Sequence, residues 1–137
     1  MDKKLIRVGT TYLPVQDVPK SADWYVENLG AKLNYMDSDK AILDFANQSF
    51  FLVNAMKNQR GNFYDASGKE HFSCTFEVDG LENLKILHNE FLTMGIEVGE
   101  IEDRGHTGRN FVFYDLNGNK FDVWSELSSE FKRRHNQ

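Results

Sequence analysis

Two stretches of the chain carry residue types in spacings that can do chemistry. In Lys120-Phe121-Asp122-Val123-Trp124 the Asp122 carboxylate and the Trp124 indole are two residues apart, so in a strand they share one face. In His71–Val78, apolar Phe72, Cys74, Phe76 and Val78 alternate with His71, Ser73, Thr75 and Glu77, which predicts a strand with one apolar and one polar face. Taken alone, that polar face reads as solvated, as on most half-exposed antiparallel strands. Cys74 falls on the apolar face and reads as a buried, unreactive thiol. No phosphate loop, Cys-x-x-Cys pair or serine nucleophile elbow occurs.

The elements that must position these residues are marked in the sequence. Asp17 before Val18-Pro19 is an N-cap followed by an early-turn proline. Val18, Ala22, Tyr25 and Leu29 then recur at helical spacing until Gly30 stops the helix. A second helix is predicted from about Leu81 to Met94, with a buried stripe of Leu84, Leu87, Phe91 and Met94 and a stop at Gly95. Strands are expected near Lys32–Tyr35, Ala41–Phe45 and Ser49–Val53 after the first helix, and at Ile96–Ile101, Arg109–Tyr114 and Lys120–Trp124 after the second.

These halves match each other. Ile42 to Val53 lies over Phe113 to Trp124 without a gap, at an offset of 115 − 44 = 71 on the shared aspartates. Thr10 to Val15 lies over Ser73 to Val78, at an offset of 63. Self-similarity at this scale means a duplicated supersecondary unit, β-α-β-β-β twice over.

The 137 residues suit a single domain with a real core. A formal net charge of −5 argues against nucleic acid, whose phosphates an acidic surface repels. The Lys132-Arg133-Arg134 run reads as part of a solvated tail over about 128–137. No stretch has the length and apolarity of a signal peptide or a membrane span, and Cys74 is the only cysteine, so a cytoplasmic protein is expected.

Tyr12-Leu13-Pro14-Val15-Gln16-Asp17, then Ser21, Trp24-Tyr25 and Leu29-Gly30, resembles the opening Leu-Pro-Val-x-Asp, Ser, Phe-Tyr, Leu-Gly of the glyoxalase / bleomycin-resistance / extradiol-dioxygenase superfamily. Phe113-Tyr114-Asp115-Leu116-Asn117-Gly118-Asn119 is similar to its closing Phe-x-Asp-Pro-Asp-Gly turn, with Leu116 where proline is usual. The resemblance covers roughly residues 5 to 127. It implies an α+β fold of two tandem βαβββ modules, about 5–55 and 70–127 joined by a linker at about 56–69, forming a curved mixed sheet around a cup-shaped cavity. Being a likeness of fold, it leaves the chemistry open.

The resemblance also implies where chemistry would sit. The cup face would carry Thr10, Tyr12, Phe51, Val53, His71, Ser73, Thr75, Glu77, Asn110, Val112, Tyr114, Asp122 and Trp124. Metal-dependent relatives use four positions of that face, which fall on Thr10, Phe51, Ser73 and Asp122. Only Asp122 is a conventional donor, whereas a catalytic metal usually needs about three protein ligands. The usual metal site is therefore expected to be absent, and no cofactor is expected. His71 is either a polar residue bonded to a neighbour, a ligand contact, or half of a shifted metal site with Asp122. Asp122 is either a hydrogen-bonded orphan carboxylate or a tuned acid/base group. Trp124 and Tyr12 are packing, or a platform for a flat or cationic ligand. Arg109 is a surface ion pair or an anion clamp. Two functions compete: a small-molecule-binding protein holding an aromatic or cationic compound without metal, and a lyase, isomerase or dioxygenase using a non-standard metal or Asp122 and His71 as acid and base. A homodimer is expected under either.

Overall fold

A computed structural model describes residues 4–135, and the chain divides between Arg60 and Gly61 into two compact units. The first unit runs β1 (Thr10–Val15), α1 (Val18–Leu29), β2 (Lys32–Met36), β3 (Lys40–Phe45), β4 (Gln48–Asn54). Helix α1 starts and stops where its signals stand. The Asp17 side chain accepts from the Lys20 N–H at 3.0 Å, and Gly30 closes the helix in the left-handed conformation. The strands form one sheet in the order β1-β4-β3-β2, with β1 parallel to β4 and the remaining pairs antiparallel. Period-two alternation sends Leu13, Val15, Ala41, Leu43, Phe50 and Leu52 into the core with Val18, Ala22 and Tyr25 of α1. Burying each larger apolar side chain contributes about 1.5–3 kcal/mol, enough to fix which sheet face turns to the helix.

The second unit runs β5 (Phe63–Tyr64), β6 (Glu70–His71), β7 (Thr75–Glu77), α2 (Leu81–Thr93), β8 (Asn110–Tyr114), β9 (Lys120–Trp124), α3 (Ser129–His135). Its main sheet has the order β7-β9-β8, with β7 parallel to β9 and β8 antiparallel to it. This repeats the β1-β4-β3 arrangement, so each unit is one βαβββ copy of an α+β fold. Phe111, Phe113, Phe121 and Val123 are buried with Leu84 and Phe91 of α2, the Phe91 and Phe113 rings meeting edge-on at 4.9 Å. Among the described residues, no helix is long and apolar enough to cross a membrane.

The structure departs from the sequence expectations, or adds to them, at several points. The strand predicted over Ile96–Ile101 is not continuous. It runs beside β8 through two isolated bridges, Val98 to Phe113 and Glu102 to Asn110. Gly99 bonds to Val112 and Glu102 to Asn110, so three steps on one side face two on the other, and the resulting bulge breaks the ladder. The strand predicted over His71–Val78 is also split. His71 pairs with Phe63 in the β5–β6 hairpin, the chain bends through residues 72–74, and only Thr75–Glu77 joins β9. That hairpin lies in part of the stretch expected to be a linker. The solvated tail is helical over Ser129–His135, with Glu130 in its first turn and basic residues in its last, as the helix dipole favours. Met94 sits past the end of α2 as its C-cap and is exposed, so the buried stripe ends at Phe91.

The gapless internal match conceals one inserted residue. Phe45 pairs with Gln48 across a two-residue turn whose members, Ala46 and Asn47, both have positive φ (52° and 59°). In the second unit Asp115 bonds to Asn119 across three residues, with Gly118 at φ 85°. The equivalent of buried Leu43 is therefore buried Phe113, at an offset of 70, and not Tyr114. The offset of 71 holds for β4 and β9, where Phe50 and Leu52 match Phe121 and Val123.

Candidate functional site

The face of the second unit's sheet turned away from α2 carries the polar residues. Pairing sets them in rows: Thr75, Asp122 and Val112 in one, Glu77, Trp124 and Asn110 in the next. Asp122 is only 2% exposed. Its Oδ2 accepts from Thr75 Oγ1 at 3.0 Å and from Asn110 Nδ2 at 2.9 Å. Its Oδ1 lies 3.1 Å from Nη1 of Arg104, an ion pair in which the N–H is angled off the hydrogen-bond line, so this oxygen has no aligned donor among the described residues. The side-chain Oδ1 of Asn110, which is 3% exposed, likewise lacks one. Two buried acceptors thus lie in one cluster, where an unmet acceptor costs about 1–3 kcal/mol.

Arg104 comes from the loop between residues 102 and 109. Its Nε donates to Glu102 Oε1 at 2.8 Å, and its guanidinium carbon lies 5.7 Å from the centre of the Phe72 ring. The loop is fastened at its other end by Trp124, whose indole Nε1 donates to the Thr107 carbonyl at 2.9 Å, and by His106, edge-on to the same indole at 5.9 Å. Arg109 donates its backbone N–H to Ser125 Oγ at 2.9 Å, while its Nη2 reaches Asp103 at 3.6 Å in an exposed pair.

The other expected residues lie as follows. Asn110 and Trp124 share the Asp122 face, as expected. Ser73 is exposed in the bend before β7, outside the Asp122 row that Thr75 occupies instead. His71 lies in a different sheet from Asp122; its ring stacks on Phe63 at 5.2 Å, and its Nδ1 accepts from the Phe72 N–H at 3.0 Å. In the first unit, Thr10, Tyr12 and Phe51 share the sheet face away from α1. The Tyr12 and Phe51 rings are 5.1 Å apart, and Thr10 Oγ1 donates to the Ser49 carbonyl at 3.1 Å. A recess of about 440 Å³ at the β3–β4 turn is lined by Arg7, Gly9, Asp44, Phe45, Asn47, Gln48 and Ser49, with Phe45 its one large apolar side chain.

Sequence reasoning placed Thr75 on the polar face of its strand without naming it a site residue, and it did not single out Arg104. Thr75 was accessible, since it is two residues from Glu77 on the polar face of a strand parallel to β9. Arg104 was not, because only the folded loop brings its long side chain back onto Asp122.

The donor set does not suit the metal that the family resemblance implies. Phe51 has no ligand atom, Thr10 is spent on Ser49, Ser73 lies in a bend, and Asp122 is engaged by Thr75, Asn110 and a cation. Among the described residues, no three His, Cys, Asp or Glu side chains converge as a metal group would require. Burial, followed by the negative charge of Asp122, pushes the Cys74 thiol up to about 11.

The family model of the Glyoxalase/Bleomycin resistance protein/Dioxygenase superfamily matches residues 7–123. Among solved structures, the chain is similar to the fosfomycin resistance protein FosX of Listeria monocytogenes, with a TM-score of 0.73 at 17% identity over 92% of this chain and 97% of that one. A second structure of that protein, complexed with Mn(II) and sulfate, gives 0.72 at 17% identity over 96% and 98%. Lactoylglutathione lyase from Agrobacterium tumefaciens gives 0.69 at 14% over 89% and 95%. No curated protein matches the sequence. Identities this low carry the fold and leave the activity to the residues of the site.

Proposed function

Since the chain belongs to the Glyoxalase/Bleomycin resistance protein/Dioxygenase superfamily, we propose that it is a cytoplasmic small-molecule-binding protein that works without the metal used by relatives such as the Mn(II)-complexed FosX. It takes a flat aromatic or cationic compound against the strand face bearing Trp124. The observation that carries this reading is the state of Asp122. The one carboxylate at a metal-ligand position is buried, bonded to Thr75 and Asn110, and already faced by the Arg104 guanidinium. Sequestration needs burial and shape but no reactive group. The enzymatic alternative has less support, because His71 bonds to the Phe72 N–H and stacks on Phe63 in a different sheet from Asp122.

The test joins two measurements. Protein purified without chelator is expected to hold fewer than about 0.2 equivalents of Zn, Mn, Ni or Fe, on the ligand count. A thermal-shift screen of small aromatic and cationic compounds should find ligands whose affinity falls about tenfold or more in Trp124→Ala, equivalent to about 1.4 kcal/mol of lost contact. Stoichiometric metal that disappears in Asp122→Ala would overturn the reading.

A further inference from the structure

Around Asp122 the chain has assembled the surroundings that recognise a planar cation. Two carboxylates flank the Arg104 guanidinium, Asp122 on Nη1 and Glu102 on Nε, and the Phe72 ring lies within cation–π range. Charges of one Arg against two carboxylates leave the group net negative, a surplus that favours a cation over an anion. The guanidinium that fills the position does so imperfectly, since Asp122 Oδ1 meets it without an aligned hydrogen bond. The neighbouring buried acceptor, Asn110 Oδ1, is unmet, although the same amide is held in place by its bond to Asp122 Oδ2. The filling group is also replaceable: its side chain is 28% exposed, whereas that of Asp122 is 3% exposed. It rides on a loop held at its ends by the Glu102–Asn110 bridge and by hydrogen bonds between Arg109 and Ser125, with the Trp124 indole bonded to Thr107 between them.

We propose that Asp122, Glu102, Asn110 and Phe72 form a recognition site for an amidinium or guanidinium group, that Arg104 of the same chain fills it in the absence of ligand, and that a cationic ligand enters by displacing Arg104. The site names the ligand class within the binding function proposed above and rests on that reading. A ligand bearing an aromatic ring beside its cation would set the ring toward Trp124, two residues along β9 on the same face and roughly 7 Å away. Because Arg104 competes from within the chain, its occupancy lowers the apparent affinity of the protein for ligand, and removing it raises that affinity.

The experiment uses methylguanidinium and benzamidinium as probes, with benzoate, the isosteric anion of the latter, as control. In Arg104→Ala, methylguanidinium at about 10 mM should raise the melting temperature by several degrees, because it binds only the folded state. The same addition should leave the Arg104→Ala/Asp122→Asn double variant unmoved. Benzamidinium should bind Arg104→Ala at least about tenfold more tightly than the wild type, and benzoate should bind neither. If Arg104→Ala does not fold, the wild type and Asp122→Asn decide. Benzamidinium should then quench tryptophan emission in the wild type and lose that effect in Asp122→Asn, which keeps the shape and removes the charge. Equal responses with and without the Asp122 carboxylate, a preference for benzoate, or no response to either cation would overturn the proposal. None of these outcomes affects the metal content, so the metal-free reading stands or falls separately.

Discussion

Replacing Gly108 with alanine should destabilise the second unit by about 1.5–5 kcal/mol and release the loop that holds Arg104. Gly108 has φ 82°, where an L side chain costs roughly 1–2 kcal/mol. A Cβ there would stand 2.7 Å from Ser125 Oγ, 2.8 Å from Glu126 Cγ and 2.8 Å from Trp124 Nε1. Glu126 can swing aside, but the other two atoms are committed. Ser125 Oγ accepts the Arg109 N–H, and Trp124 Nε1 donates to Thr107. Moving either gives up a hydrogen bond with a net worth of about 0.5–1.5 kcal/mol. Strain plus one or two lost bonds gives the stated range.

Urea unfolding measures the stability loss, and tryptophan emission should shift as the indole is displaced. Gly108→Asn separates the two causes. Asparagine tolerates the left-handed region but brings the same Cβ, so it should recover the strain and keep the clash. A Gly108→Ala protein within about 0.5 kcal/mol of wild type, with unchanged emission, would refute the argument that this loop is fastened through Trp124 and Ser125.

Two further outcomes are expected. Cys74 is half-buried rather than buried, but with its thiol raised from 9.0 to about 11 it should react with iodoacetamide at pH 8 roughly a hundredfold more slowly in the native than in the unfolded protein, and comparable rates would contradict that shift. Because the folded state holds the proton longer, this thiol's contribution to stability is intact below about pH 9 and is lost as pH rises toward 11. The first unit's open sheet face leaves Tyr12 63% and Tyr35 48% exposed, and a homodimer is expected; sedimentation as a 15.9 kDa monomer at micromolar concentration would refute it.

What the sequence made legible follows the range of the forces involved. Helix α1 could be placed to the residue because Asp17, Pro19 and Gly30 act locally through a cap, a fixed φ and a left-handed stop. Strand β9 could be placed because apolar Phe121 and Val123 alternate with polar Lys120 and Asp122, although the fold buries Asp122 as well. The break after His71 was hidden because the alternation from Phe72 to Val78 is clean, while the cause of the break, pairing of His71 with Phe63, is non-local. Arg104 was hidden for a similar reason. Its neighbours Glu102, Asp103, Gly105 and Gly108 spell an exposed polar loop, and nothing in that composition says that one side chain turns back onto a buried carboxylate.

The duplication sharpens what that carboxylate means. Phe51 on β4 and Asp122 on β9 are the same position in two copies of one unit, one paired across to Tyr12 and the other to Thr75. The first copy fills the position with a ring that stacks on its neighbour at 5.1 Å. The second fills it with a charge that would cost several kcal/mol to bury alone, and surrounds it with a hydroxyl, an amide and a guanidinium. The first copy satisfies the equivalent position with a half-buried ring, so the βαβββ unit does not of itself require a carboxylate there. A buried ion pair is often no more stable than a well-packed apolar pair of the same volume, so keeping one in the second copy points to recognition of a charged or hydrogen-bonding group. The asymmetry between two otherwise matched units thus directs attention to the Asp122 face, where substitutions should change binding before they change the fold.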